Sequence, residues 1–340
     1  MLTHGRTRAL FGVLATAFCL ALPASAFAGH DLGIYKVEKH VDLTSDEQTV
    51  DLSCGDGTYA LDGMWRIDHA DQDDDDIYVT SIGRAVDVLE AYPTDGPDPG
   101  TDYDSYHFLF EKNAIGRAQV KVFATCIKKQ TEQASGHTHT IPVAIQAPVT
   151  QPAGAVASYS NASICPVNTF VAQTGFKINV LPGGTDPNPF VGHLQESKPN
   201  TLRGWSWYID MSQQPANTAT FYASCVSKKL PAAGGEKHKL VYRLQGPETN
   251  PLAPNRVSTK RISCAAHYKA VVAGFSLHPP VPTMADPNTG DWPGLFVPKW
   301  WYLGMDPQPK ARDFRFLNSD SVASAGLPDL YAICLNYRTT

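Results

Sequence analysis

Val122-Phe123-Ala124-Thr125-Cys126 returns as Phe221-Tyr222-Ala223-Ser224-Cys225 and again as Leu330-Tyr331-Ala332-Ile333-Cys334. Each ending has one upstream cysteine, Cys54, Cys165 or Cys264, and together these account for every cysteine except Cys19. The chain therefore reads as a threefold repeat. From Cys126 to Cys165 is 39 positions, as it is from Cys225 to Cys264, and the residues between align without a gap. Gly136 falls on Gly235, His139 on His238, Ile141 on Leu240, Val143 on Tyr242, Ile145 on Leu244 and Gln146 on Gln245. The apolar members stand two apart, the strand period, so each segment opens a repeat with a half-buried strand. Leu32 to Val41 does the same in the first repeat.

Working inward from the upstream cysteines, an aromatic residue stands at the eleventh position each time: Trp65, Phe176 and Phe275. Ile67, Ile178 and Leu277 follow two residues later on the same strand face, which marks that face as core. Turn-rich loops come next, Asp71 to Asp76 in the first repeat and Asp-Pro-Asn in the other two. An aromatic strand follows. Tyr106 and Phe108 match Trp205 and Trp207, and Trp300-Trp301-Tyr302-Leu303-Gly304-Met305 is assigned to this strand in the third repeat, with Asp306 to Leu327 read as an inserted loop. No sustained helical period appears, and Pro and Gly punctuate the chain as all-β proteins require.

The expected architecture is all-β, three tandem disulfide-stapled sandwiches of immunoglobulin-like kind over 29–130, 131–230 and 231–340. The Tyr-x-Cys corner of true immunoglobulin domains is absent, because the aromatic stands three residues before the cysteine. The alternative is a single prism of three sheets about a pseudo-threefold axis. One cysteine pair per repeat gives Cys54 with Cys126, Cys165 with Cys225, and Cys264 with Cys334.

Residues 1–28 have the order of an export signal: Arg6 and Arg8, an apolar run from Ala9 to Leu22, then small residues to Ala28, with Cys19 discarded. Its removal takes two bases and no acid, moving the formal charge from −5 to −7 and disfavouring a nucleic-acid partner. No later stretch has the roughly 18 apolar residues of a membrane span. The expected location is outside the cell, free or held at its surface by contacts.

The second repeat, with Cys165-Pro166, Gly175-Phe176, Ser197-Lys198-Pro199, Trp205 and Tyr222-Ala223-Ser224-Cys225, resembles a small secreted module common in actinobacteria. The resemblance extends to all three repeats, although Cys54 and Cys264 lack the following Pro and the third lacks Ser-x-Pro. It implies independent domains of a bacterial protein and carries over no site residues.

Four patterns are candidates for chemistry. The acidic run holding Asp71, Asp73 and Asp75 offers hard oxygen ligands for calcium but is no EF-hand, since Asp76 replaces the turn glycine and Ile82 the bidentate Glu. His137-Thr138-His139 puts two imidazoles on one side of a strand, a zinc or copper spacing, and is read as a surface strand because Lys237 stands beside His238 in the next repeat. His30 could chelate copper as an N-terminal residue only if cleavage followed Gly29, which Phe27 and Gly29 flank poorly. Among the aromatic residues, Trp292 and Trp300 are the expected exposed binding platform.

No nucleophile elbow, HExxH, phosphate loop or dinucleotide fingerprint occurs, so a non-enzyme is expected. The reading is a secreted structural or adhesive protein of a bacterial surface or matrix, with a cell-surface protein, a polysaccharide or itself as partner. The alternative is a lectin, calcium-assisted through the acidic run.

Overall fold

The computed structural model describes residues 29–45, 47–69, 86–95, 103–112, 118–180, 193–211, 216–249, 251–253, 256–277, 300–318 and 328–340. The first third of the chain forms β1 (Ile34–Leu43), β2 (Glu47–Ser53), β3 (Thr58–His69), β4 (Val86–Thr94), β5 (Ser105–Lys112) and β6 (Ala118–Lys128). The second forms β7 (Val143–Ile145), β8 (Val149–Gln151), β9 (Val156–Asn161), β10 (Thr169–Asn179), β11 (His193–Thr201), β12 (Gly204–Asp210) and β13 (Thr218–Ser227). The third forms β14 (Tyr242–Thr249), β15 (Arg256–Ser263), β16 (Tyr268–Ser276), β17 (Trp300–Gln308), β18 (Ala311–Asn318) and β19 (Asp329–Asn336). The all-β class is as expected.

The sheets do not close within each third, as tandem sandwiches would require. One sheet runs β1-β6-β3-β17-β18-β15, a second β2-β5-β4-β10-β13-β7 with β8 also on β13, and a third β14-β19-β16-β11-β12-β9. Every sheet thus joins strands from two different thirds of the chain. The joins are narrow: Ala91 and Glu90 pair with Phe176 and Lys177, Ser197 and Glu196 with Phe275 and Ser276, and Gly304 with Arg66. Side chains tie each seam. Lys177 Nζ lies 3.0 Å from Glu90, Ser276 donates to Glu196 at 2.7 Å, and Arg66 pairs with Asp306. Backbones come so close at the third-sheet seam that a Cβ on Gly274 would sit 2.1 Å from the Ser197 carbonyl oxygen.

The central strands are buried almost end to end, as in β10 and β16, whereas β14 at a sheet edge alternates and then stays exposed. That pattern is what shared sheets around one core demand. Trp65, Phe176 and Phe275 meet at a cavity of about 30 Å³ between the sheets. The predicted disulfides are present, with Cα separations of 5.7, 5.5 and 5.8 Å. Their role differs from stapling separate sandwiches. Cys54, after β2, joins the second sheet to β6 in the first; Cys165, whose N–H bonds Arg203 beside β12, joins the third to β13 in the second; Cys264, after β15, joins the first to β19 in the third. Each of the three sheet-to-sheet edges therefore carries one cystine.

The third aromatic strand needs correction. Asp306 to Leu327 is not simply a loop: β17 continues to Gln308 and β18 follows. Pairing settles the equivalence, since Pro93 faces Tyr106, Pro199 faces Trp205 and Pro307 faces Arg312. The strand matching Tyr106-x-Phe108 and Trp205-x-Trp207 is therefore Arg312-x-Phe314. Trp205 and Trp207 are both buried, as are Phe108, Phe314 and Phe316. Arg312 occupies the buried position where the other thirds place a ring, 1 % exposed, with Asp62 of β3 its charged neighbour at 3.9 Å. Arg312 also donates to Thr125 Oγ1 at 2.8 Å and to the Ala311 carbonyl at 3.1 Å. Burial pushes the Asp62 carboxyl up to about 7, opposed by Arg312.

Candidate metal centre

Beyond β6 and β13 the chain makes two similar excursions. Gln130 bridges Thr140 and Lys229 bridges Lys239, and inside each ladder a tight turn closes at Ala134–His137 or Ala233–Glu236. Ser135 and Gly136, like Gly234 and Gly235, have positive φ, which is the requirement of a two-residue type I′ turn. These turns return His137 and Glu236 to corresponding places, with His139 and His238 two residues on.

A third place of the same kind is built from segments remote in sequence. Arg338 bridges Asp31 as Gln130 bridges Thr140. Thr131 N–H donates to His139 O at 2.9 Å, Leu230 N–H to His238 O at 3.1 Å and Thr339 N–H to His30 O at 2.9 Å. His30, His139 and His238 thus hold equivalent positions around one point, and His137 joins them.

The four imidazoles converge so closely that their nearest ligand nitrogens all lie within 4.8 Å of one another. His30 and His139 are fully buried and His238 is 7 % exposed. His137, on the solvent side, packs over Gly234, where a Cβ would lie 2.5 Å from its Nδ1. Neighbouring backbone fixes the rings. His30 Nδ1 lies 3.0 Å from Glu132 O, and His139 Nδ1 lies 2.8 Å from Pro231 O. A carbonyl only accepts, so Nδ1 carries the proton in both rings and Nε2 presents a bare lone pair. The Nε2 atoms of His30, His137 and His139 are buried without a hydrogen-bond partner among the described residues. His238 places Nδ1 3.3 Å from Thr339 Oγ1 and Nε2 3.0 Å from Glu236 Oε2.

Burial holds the His139 imidazole below its ordinary value, and the three nearby imidazoles push it the same way against the Pro231 bond. It stays neutral, as a ligand must. The hydrogen bond with His238 holds the Glu236 carboxyl below the usual carboxylate range. Buried lone pairs facing one another without a donor are unfavourable, and a cation removes that cost. Imidazole nitrogens with Nδ1 anchored on carbonyls are the donor set and outer shell of zinc, copper and nickel sites. A tetrahedral ion with bonds of about 2.0–2.1 Å would hold its nitrogens about 3.4 Å apart. Side-chain rotation of the order of an ångström therefore closes the set.

The expected surface strand at His137–His139 is corrected accordingly. Alternation did put both rings on one side, but His139 is buried because His30 and Pro231 cover it. His30 is placed by Thr339 rather than by a cut after Gly29, a pairing with no sequence signal beyond the His139–His238 match. Asp71, Asp73, Asp75 and Trp292 lie outside the described residues, and Trp300 is the first residue of β17. In comparisons with known proteins, no family model and no curated protein matches the chain. Among the described residues no helix is long and apolar enough to cross a membrane, and the three disulfides point to an oxidising environment.

Proposed function

We propose that this protein is a secreted β scaffold that binds one divalent late transition-metal ion, zinc foremost, through His30, His137, His139 and His238. The observation that carries this reading is the convergence of four imidazoles within 4.8 Å, two of which, His30 and His139, are fully buried with Nδ1 anchored on a carbonyl and Nε2 without a hydrogen-bond partner among the described residues. Four imidazoles on one ion would fill a tetrahedral shell, which supports a structural rather than a catalytic role for it. The export leader, the threefold repeat and a cystine at every sheet edge fit a rigid structural or adhesive protein of a bacterial surface or matrix.

The test is zinc affinity by competition with a chelating dye, on native protein with intact disulfides. Wild type should take up one ion per chain, and His139→Ala should weaken uptake by 100-fold or more while keeping the β spectrum of the parent. Absence of stoichiometric uptake, or equal affinity in the variant, would overturn the proposal.

A further inference from the structure

We infer that the ion is a clasp: it closes the ring of three loops at the one place where the chain itself does not. This inference rests on the metal reading above. At two places the partners of the bridge are joined covalently by a short turn, through Ser135-Gly136 and Gly234-Gly235. At the third, His30 and Thr339 stand 309 positions apart and no turn links them.

Among the described residues, hydrogen bonds and one exposed ion pair hold that third place. His30 N–H donates to Thr339 Oγ1 at 2.9 Å, Leu32 N–H to Tyr337 O at 2.8 Å, and Glu132 N–H to Asp31 O at 2.8 Å. The Arg338–Asp31 ion pair at 2.7 Å is exposed on both sides and adds little. Coordination changes this. An ion on His30 ties the segment before β1 to His137 and His139 of the second third and His238 of the last. Thr339 is held too, because its hydroxyl accepts from His30 N–H and lies within reach of His238 Nδ1. The clasp thus stands in for a missing turn, and its occupancy sets how often residues 29–33 and 337–340 open together.

The experiment is amide hydrogen exchange, read by mass spectrometry, on the secreted protein with native disulfides, in zinc and then in chelator. With free zinc at 100 times its dissociation constant, linkage gives about a 100-fold slowing of any opening that breaks the site. That slowing should appear at His30, Leu32 and Thr339, while β10 and β16 exchange alike in both conditions. Zinc uptake measured on the same samples separates the two ideas. No uptake overturns the metal reading and the clasp with it; uptake with unchanged exchange at these residues overturns the clasp alone. A second variant, His30→Gln, keeps three imidazoles and should bind zinc more weakly without slowing exchange at Leu32 and Thr339. Protection retained there would also overturn the clasp. If His30→Gln does not fold, the zinc and chelator comparison on the parent decides.

Discussion

Asp62 and Arg312 are 250 positions apart yet share one buried site, so their energetic coupling tests whether the first and last thirds of the chain build one sheet. Arg312→Met removes a guanidinium that is 1 % exposed and leaves Asp62, 3 % exposed, without its counter-charge. Breaking a buried pair this way costs about 3–5 kcal/mol, whereas replacing both partners with apolar groups is often neutral. The double variant Asp62→Leu/Arg312→Met should therefore unfold within about 1 kcal/mol of the parent. Acidity sharpens the test. The folded-state Asp62 carboxyl is raised to about 7, against roughly 3.9 in an unfolded chain. The folded protein then holds this proton more tightly than the unfolded chain, so its contribution to stability is full below about pH 4 and is lost as pH rises towards 7. The shift corresponds to roughly 4 kcal/mol as an upper figure. In Arg312→Met the buried carboxylate keeps a backbone hydrogen bond from Ala273 but has no counter-charge, so the penalty should be larger at pH 8 than at pH 5, while Asp62→Asn/Arg312→Met should lose that dependence. Urea unfolding at both pH values, with disulfides intact, reads all of this. A cost under about 1 kcal/mol for Arg312→Met, or additive effects in the double variant, would refute the shared core.

Other consequences follow from single contacts. Replacing Cys165 and Cys225 by Ala opens a 60-residue loop and frees one sheet edge, and should lower unfolding stability by about 2–5 kcal/mol. Gly274→Ala forces a methyl against the Ser197 carbonyl at the seam and should cost about 1–3 kcal/mol by the same denaturation assay. Gly234→Ala pushes against the His137 ring from a backbone at φ +57°, so zinc affinity should fall about 10–100-fold by dye competition with little change in β content.

Much of the fold was legible because its signals are local. Cysteine spacing gave the cystine pairs, and alternation placed Trp65, Phe176 and Phe275 on core faces. The exchange of strands between thirds was not legible, since each seam rests on one or two residue pairs and a close backbone approach that leave no periodic trace. Trp300-Trp301-Tyr302 is the most aromatic stretch of the third repeat and so stands out as its aromatic strand, whereas the register equivalent carries Arg312 where the other thirds carry a ring. At the site, the match of His139 with His238 was visible, but its meaning depended on His30 arriving from the start of the described chain. Burial there comes from packing between segments remote in sequence, which composition and period do not encode.

The most direct test of the central claim is X-ray absorption at the zinc edge on the zinc-loaded, disulfide-intact protein. The account predicts one ion per chain with about four nitrogen neighbours near 2.0–2.1 Å and the outer-shell scattering of imidazole rings. An oxygen-dominated shell without imidazole scattering, or no stoichiometric zinc to measure, would contradict it.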